Sequence, residues 1–308
     1  MTIKGSKILI TGGTGSLGRA LVGRLCEDNE IVVYSRNEER QYHTAQEFMG
    51  KNVSFRIGDV RDRETMEYAM YGCDIVIHAA AMKDLIMCEA QPTQTCLNNI
   101  EGSKSVLQAC RNTPTVKKAI AVSTDKAAAP SNVYGASKYI MEKLFEEANQ
   151  VSDIIFSSVR FGNMIDSKGS LVDIWKKKPQ MEIKLTHPEV SRFFFTLKEA
   201  AQTVEKAIGM TRGGEILIRK MKAARIYDIL RIITGQNEFE IIGLFPGEKI
   251  HEDLVSANEV RFCHDIGDYY VLDPKRFNSN SPEMLNTRNA DYFTEEELKK
   301  LIFSEFQK

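Results

Sequence analysis

Tyr134-Gly135-Ala136-Ser137-Lys138 sets a phenol and an ammonium one helical turn apart, so both project from the same face. A tyrosine in water titrates near 10, too high for a base at neutral pH. A lysine cation beside it favours the phenolate and fits Tyr134 to take a proton from an alcohol. Upstream, Ser123-Thr124-Asp125-Lys126 closes the apolar run Ala119-Ile120-Ala121-Val122. Thr124 can share a hydrogen bond at the same hydroxyl. Asp125 and Lys126 are an acid and a base that a plain alcohol oxidation does not use. They point to a second step, in which one carbon loses a proton and its neighbour loses water. A loop salt bridge is the alternative for Asp125.

The other chemistry-bearing stretch is Thr11-Gly12-Gly13-Thr14-Gly15-Ser16-Leu17-Gly18, between the strand-like Lys7-Ile8-Leu9-Ile10-Thr11 and a helical pattern carried by Leu17, Leu21, Val22 and Leu25. Such a loop brings backbone amides and a helix N-terminus against a pyrophosphate, and a Cβ at Gly12 or Gly15 would push the phosphates away. The next apolar run, Ile31-Val32-Val33-Tyr34, ends in Ser35-Arg36-Asn37 with no acid before Glu38. A carboxylate there accepts the ribose hydroxyls of NAD, whereas an arginine receives the 2′-phosphate of NADP. Ser35 and Arg36 therefore point to NADP, with stacking of Arg36 on the adenine as the alternative. Asp59, in Gly58-Asp59-Val60, could hold the adenine amino group or be a surface acid.

These groups must be carried by strands whose C-terminal ends meet. The runs 7–11, 31–34, 53–57, 74–78, 119–122 and 154–159 are apolar or alternating and are separated by helical patterns. That rhythm predicts an α/β fold with a doubly wound (Rossmann) parallel sheet, its ligand crevice at the strand C-termini. The rhythm breaks after about residue 160. Residues 1–160 are read as the dinucleotide domain with the catalytic residues, and 161–308 as a smaller, mainly substrate-binding region that could return strands to the sheet. Helices are expected at 197–208, 226–234 and 294–306, the last capped by Thr294 with Glu297. Lys176-Lys177-Lys178 reads as a solvated helix end.

The chain has 41 basic and 42 acidic residues and a net charge of −1, which removes the electrostatic drive for nucleic-acid binding. No apolar run approaches the ~20 residues of a membrane helix, and residues 1–7 lack the apolar core of a signal peptide. A cytoplasmic protein is expected. Six cysteines without a CxxC pair read as reduced, mostly buried thiols, and no metal is expected.

With the glycine loop, Tyr34-Ser35-Arg36, Gly58-Asp59-Val60-Arg61-Asp62, His78-Ala79-Ala80-Ala81-Met82-Lys83, Ser123-Thr124-Asp125-Lys126-Ala127, Asn132-Val133-Tyr134-Gly135-Ala136-Ser137-Lys138, Arg160-Phe161-Gly162-Asn163, Ser191-Arg192-Phe193 and Pro246-Gly247-Glu248-Lys249-Ile250-His251-Glu252, the sequence resembles the extended short-chain dehydrogenase/reductases. Within them it is most similar to the inverting UDP-N-acetylglucosamine 4,6-dehydratases of surface-polysaccharide biosynthesis. Thr-Asp-Lys followed closely by YxxxK is the discriminating piece, since retaining sugar dehydratases carry Thr-Asp-Glu. The resemblance implies an NADP-dependent lyase acting on a UDP-amino-sugar as a homo-oligomer, a dimer or larger, with helices 95–111 and 134–150 at the interface. It implies that Tyr134 acts as base at the C4 hydroxyl oriented by Thr124, that Lys126 removes the C5 hydrogen, and that Asp125 protonates the departing C6 hydroxyl. Lysine suits that role if desolvation and the nicotinamide lower its pKa. Ala79, Ala80, Ala81, Val60 and Lys138 would line the cofactor. Lys83 and Asn163 would face the sugar, Lys168 would also contact substrate, and Arg192 with Gly247–Glu252, Glu248 among them, would face the UDP end. The chain departs from the family pattern at Asp84, Ile86, 166–170 and Phe245, all outside the redox core. A UDP-sugar 4-epimerase would use the Tyr/Lys pair without Asp125 and Lys126. A non-catalytic NADP-binding protein on the same fold is the reading from another class.

Overall fold

Strand β1 (Lys7–Thr11) feeds the glycine loop, and helix α1 (Ser16–Leu25) leaves it, in a computed structural model that describes residues 3–167, 169–177, 183–282 and 285–303. There follow β2 (Glu30–Ser35), α2 (Glu38–Glu47), β3 (Val53–Ile57), α3 (Arg63–Ala69), β4 (Ile75–His78), α4 (Leu85–Ala90), α5 (Pro92–Thr95), α6 (Gly102–Asn112), β5 (Lys118–Val122), α7 (Val133–Ala148) and β6 (Ile155–Arg160). The second half adds β7 (Asn163–Met164), α8 (Leu171–Lys177), β8 (Ser191–Phe195), α9 (Leu197–Met210), β9 (Ile216–Arg219), β10 (Lys222–Arg225), α10 (Ile226–Thr234), β11 (Asp253–Val255), β12 (Cys263–Asp265), β13 (Tyr269–Leu272), β14 (Leu285–Asn286) and α11 (Glu295–Phe303).

The large sheet runs β12-β13-β9-β6-β5-β4-β1-β2-β3. From β3 to β9 every pairing is parallel, and the order reverses between β1 and β4, as a doubly wound sheet requires. The expected α/β sheet is therefore present. Its far edge differs, because β13 and β12 pair antiparallel beyond β9. Strands from beyond residue 160 thus rejoin the sheet. Two smaller sheets, β10-β8-β7 and β11-β14, lie beside the crevice.

The strands are apolar on both faces because both faces are covered. On one, Ile8, Ile10, Val33 and Ile120 pack under Leu17 and Leu21 of α1 and Ala200 and Val204 of α9. On the other, Leu9, Val76 and Ala119 pack under Met66, Val106, Met141 and Phe145 of α3, α6 and α7. Each fully buried aliphatic contributes roughly 1.5–3 kcal/mol. All six thiols are free and five are buried. Thr294 and Glu297 form the expected reciprocal cap of α11. Of the lysine run, Lys176 donates to the Ile302 carbonyl and Lys177 pairs with Asp173 at 2.8 Å; Lys178 lies outside the described residues.

One expected helix is built differently. The stretch 95–111 is interrupted by a π-helical segment, Cys96–Glu101, between α5 and α6. Such segments are uncommon and tend to occur at functional sites. This one presents Asn98 and Asn99 to the crevice loops described below.

His78, at the end of β4, is buried between the Thr11 hydroxyl (Nδ1, 2.8 Å) and the Ser103 hydroxyl (Nε2, 3.1 Å). Burial, assisted by the Lys138 charge, pushes its pKa down from 6.5 to about 3. The unfolded chain binds a proton as pH falls through 6.5, and the folded chain does so only near 3. Stability is therefore lost across that window on acidification. His78→Gln is expected to flatten the pH dependence of the unfolding free energy there by up to ~1.4 kcal/mol per pH unit, read by denaturant titration. An unchanged slope would contradict it.

Candidate functional site

The crevice begins at the glycine loop. Gly12 has φ +69° and a Cβ on it would sit 2.9 Å from the Ala80 amide nitrogen. A side chain there would thus collide with the β4 loop, a second reason for glycine beside the expected approach of a phosphate. A Cβ on Gly18 would lie 2.5 Å from the Gly12 carbonyl, so that glycine lets α1 press on the loop. At Gly15 a Cβ would meet only the Gly12 carbonyl within 4 Å, at 3.2 Å, which leaves the expected open approach. Gly15 also starts α1 without a side-chain cap, whereas Asn37, Asp62, Asp84 and Asn132 cap α2, α3, α4 and α7. Uncapped N-terminal amides beside an open backbone fit an anionic diphosphate. Thr14 and Ser16 are partly exposed in this loop, while the Leu17 side chain is in the core.

Past β2, Ser35 is half-buried and Arg36 exposed. The Arg36 Nη1 donates to Asn98 Oδ1 at 3.2 Å and lies 3.6 Å from Asp59. Asp59 is occupied. Arg61 clasps its carboxylate at 2.9 and 2.7 Å, and that contact first of all holds its pKa below the usual carboxylate range. The Val60 side chain is buried against Gly102. Ala79 and Ala80 are partly exposed and Ala81 is exposed. Asn99 fastens this loop: its amide accepts from the Met82 nitrogen at 2.8 Å and donates to the Met82 carbonyl at 2.9 Å and to the Ser137 hydroxyl at 3.0 Å. The loop after β4 is thereby tied to α7. Sequence reasoning missed Asn98 and Asn99; the signal was two consecutive amides inside an apolar-periodic stretch.

The end of β5 carries a 3-10 turn, Asp125–Ala127, started by Thr124. Thr124 donates to Asp125 Oδ1 at 3.0 Å, and Lys126 Nζ reaches the same oxygen at 3.0 Å and Asn163 Oδ1 at 3.2 Å. Asp125 is fully buried, and its Oδ2 has no hydrogen-bond partner. A buried carboxylate oxygen left open in this way is costly unless something else binds it. The turn is pressed against α7 by Gly135, where a Cβ would lie 2.2 Å from the Lys126 carbonyl. Asn132 caps α7 and also donates to the Gly247 carbonyl at 3.1 Å, which docks the 246–252 loop on the same corner.

The charges of the chain alone work against two expectations that apply with the nicotinamide bound. Burial works to lower the Lys126 pKa, but the carboxylates of Asp125 and Glu252 outweigh it and hold the ammonium form. Burial and the Asp125 charge push the Tyr134 phenol up, opposed by the Thr124 hydroxyl. Lys138 does not reverse this in the chain alone. Its Nζ donates to Met141 Sδ at 3.0 Å, and burial pushes its pKa down to about 8. Burial also raises the Asp125 pKa, which favours the acid form.

Glu252 was grouped with the nucleotide end, yet its Oε1 lies 3.6 Å from Lys126 Nζ. Arg192, expected beside it, is buried and turned inward: it contacts Glu248 at 3.2 Å, Glu252 at 3.7 Å and the carbonyls of Ser191 and Ile250. Lys83 is exposed beyond the β4 loop, and Lys168 lies outside the described residues. Two of the unusual residues have structural roles, since Asp84 caps α4 and Asp166 accepts from the first amide of α9. Phe245 is exposed.

Comparison with known proteins matches residues 8–274 to the family described as "Polysaccharide biosynthesis protein". The chain is similar to a Campylobacter jejuni protein named UDP-N-acetylglucosamine 4,6-dehydratase (inverting), at 37% identity over 88% of this chain and 83% of that one. It is also similar to a Rickettsia canadensis protein named UDP-glucose 4-epimerase, at 34% identity over 86% and 82%. Among solved structures, Pen from Bacillus thuringiensis superposes with a TM-score of 0.92 at 31% identity, covering 99% of both chains.

Proposed function

The chain belongs to the polysaccharide biosynthesis protein family, and from that premise we propose that it is a C5-inverting UDP-N-acetylglucosamine 4,6-dehydratase. The observation that carries this reading is the buried contact of Lys126 with Asp125, 3.0 Å apart beside Thr124 at the end of β5. An epimerase needs only the Tyr134 and Lys138 pair and would leave an acid and a base buried in its crevice without use.

The cofactor proposed is NADP. When bound it supplies the hydride acceptor and donor for the sugar. Arg36 is the group for the 2′-phosphate: Asp59 is neutralised by Arg61, so the exposed guanidinium keeps charge to offer. The uncapped amides of α1 and the open side of Gly15 take the diphosphate.

The chain's own residues then divide the work. Thr124 orients the C4 hydroxyl and Tyr134 takes its proton. The phenol is held protonated in the chain alone, and a positive nicotinamide ring bound beside it would favour the phenolate. In the working state the proton shared by the buried pair sits on Asp125, which leaves Lys126 as the amine that removes the C5 hydrogen acidified by the C4 ketone. Asp125, kept as the acid by burial, gives its proton to the departing C6 hydroxyl. Its Oδ2, which has no hydrogen-bond partner in the chain, is the atom we assign to that transfer. Asn163 holds Lys126 from the far side. We place a contact with a second copy on the exposed Leu97 and Ile140, which lie on the paired helical stretches.

UDP-GlcNAc incubated with the protein in heavy water is expected to give a 4-keto-6-deoxy product with deuterium at C5 and no net reduced cofactor. Recovery of the sugar with its 6-hydroxyl intact would exclude dehydration.

A further inference from the structure

Buried charges of alternating sign run through the crevice wall. Asp125 meets Lys126, Lys126 meets Glu252 at 3.6 Å, Glu252 meets Arg192 at 3.7 Å, and Arg192 meets Glu248 at 3.2 Å. The first four are at most 8% exposed. We propose that Glu252 is the positioning residue of this site, acting through Lys126 to fix where its amine sits and to set the pH range over which the Asp125–Lys126 pair carries its protons. This deepens the dehydratase reading and rests on it.

The geometry makes Glu252 a fixed anion. Its backbone N–H donates to the Thr287 hydroxyl at 3.0 Å, and its carbonyl accepts from the Thr287 amide at 2.9 Å. The main chain that carries the carboxylate is therefore fixed through both its amide and its carbonyl. Arg192 on β8, Lys126 on the 3-10 turn and Lys249 on its own loop face it, and together they outweigh burial and keep it ionised. Arg192 is in turn held by two carbonyls, so it cannot swing away to another partner. Without Glu252, Asp125 and Lys126 would form a simple neutral ion pair in a dry pocket. A second anion beside the pair raises the proton affinity of both members. Asp125 then keeps a proton to give, and Lys126 binds the C5 proton more firmly. Among the described residues, the other charged or titratable groups acting on this cluster include Tyr134 of α7, near Asp125, Cys88 of α4, which acts on Tyr134, Asp253 and His251 of the 246–253 loop, and Arg288 and Glu189 beside His251.

The test compares Glu252→Gln, which keeps the shape and removes the charge, with Glu252→Asp. The pH profile of kcat for dehydration is expected to move toward acid by about one pH unit or more in Glu252→Gln, with KM within about threefold, and to return toward the parent profile in Glu252→Asp. In parallel, 13Cε-lysine NMR of the same proteins follows the Lys126 resonance, assigned through Lys126→Gln, and needs no turnover. Its titration midpoint is expected to fall in Glu252→Gln. An unmoved midpoint and an unmoved profile, with kcat merely scaled down, would overturn the role given to Glu252. A lowered midpoint in a protein that dehydrates no UDP-sugar would sustain the coupling and remove the dehydratase reading instead.

Discussion

Lys126→Ala is expected to lower the rate of 4-keto-6-deoxy sugar formation by about 100- to 10,000-fold, the range for removing a positioned general base. The argument is geometric. Lys126 Nζ is held by Asp125 at 3.0 Å and Asn163 at 3.2 Å, and it is 8% exposed, so water does not readily take its place. Proton removal at the C4 hydroxyl, which we propose for Tyr134 with Thr124, is expected to survive. The discriminating measurement is therefore paired: product formation by NMR and 4-epimer formation in the same incubation. An enzyme that only epimerises would remain largely active, and dehydration persisting within tenfold of the parent would remove Lys126 from the mechanism. The fold should tolerate the change. Asp125 is held toward its neutral form by burial, and Glu252 retains Arg192.

Arg160→Ala is expected to have the largest effect on stability. Arg160 is completely buried at the end of β6. It binds Glu142 of α7 through two nitrogens at 3.1 and 2.7 Å, Glu259 at 3.1 and 2.8 Å, and the Leu254 carbonyl at 3.0 Å. Removing one partner of a buried ion pair leaves the other charge uncompensated and costs about 3–5 kcal/mol. For a chain of this size that is a fall in Tm on the order of 5–15 °C. Glu142 is 3% exposed and bears most of the loss, while the Glu259 side chain is 22% exposed and can reach water. Arg160→Met combined with Glu142→Leu is accordingly expected to recover part of it, because a packed apolar pair often replaces a buried ion pair without penalty. A loss below about 1 kcal/mol for the single change would show that the network is not needed. The network also explains an acid limit. Arg160 outweighs burial to hold the Glu259 pKa at about 2, so the stability it adds is complete above the ordinary value of 4.5 and fades as pH falls toward 2.

The parallel core was legible in the sequence because strands buried on both faces leave continuous apolar runs such as Asp74-Ile75-Val76-Ile77-His78. The glycine loop and the residues 124–138 were legible because their spacing is local: a turn, then a helix face. What the sequence could not display were contacts made across the fold. Glu252 reaches Lys126 only because Gly247 packs on Asn132 and swings its loop onto the catalytic corner. Arg160 ends an apolar strand and carries no local sign of burial among Glu142 and Glu259. Arg192 is placed at the UDP end by resemblance, and its contacts with Glu248 and Glu252, more than fifty residues later, leave no local sign. A return of strands to the sheet is expected from the sequence, but which segments form β13 and β12, and their antiparallel sense, are not, since short edge strands alternate weakly and resemble loops.

That edge has a consequence for biosynthesis of the chain itself. Until β9 has left the ribosome, β6 presents an unpaired row of amides and carbonyls beside Phe156 and Val159, and until β13 follows, β9 presents the next. A nascent chain stalled near residue 200 would carry the nucleotide-loop half nearly whole, with Arg160 still lacking Glu259 and the Leu254 carbonyl. Such an intermediate is prone to self-association through its open border, and its dependence on chaperones is set by how quickly the last hundred residues arrive.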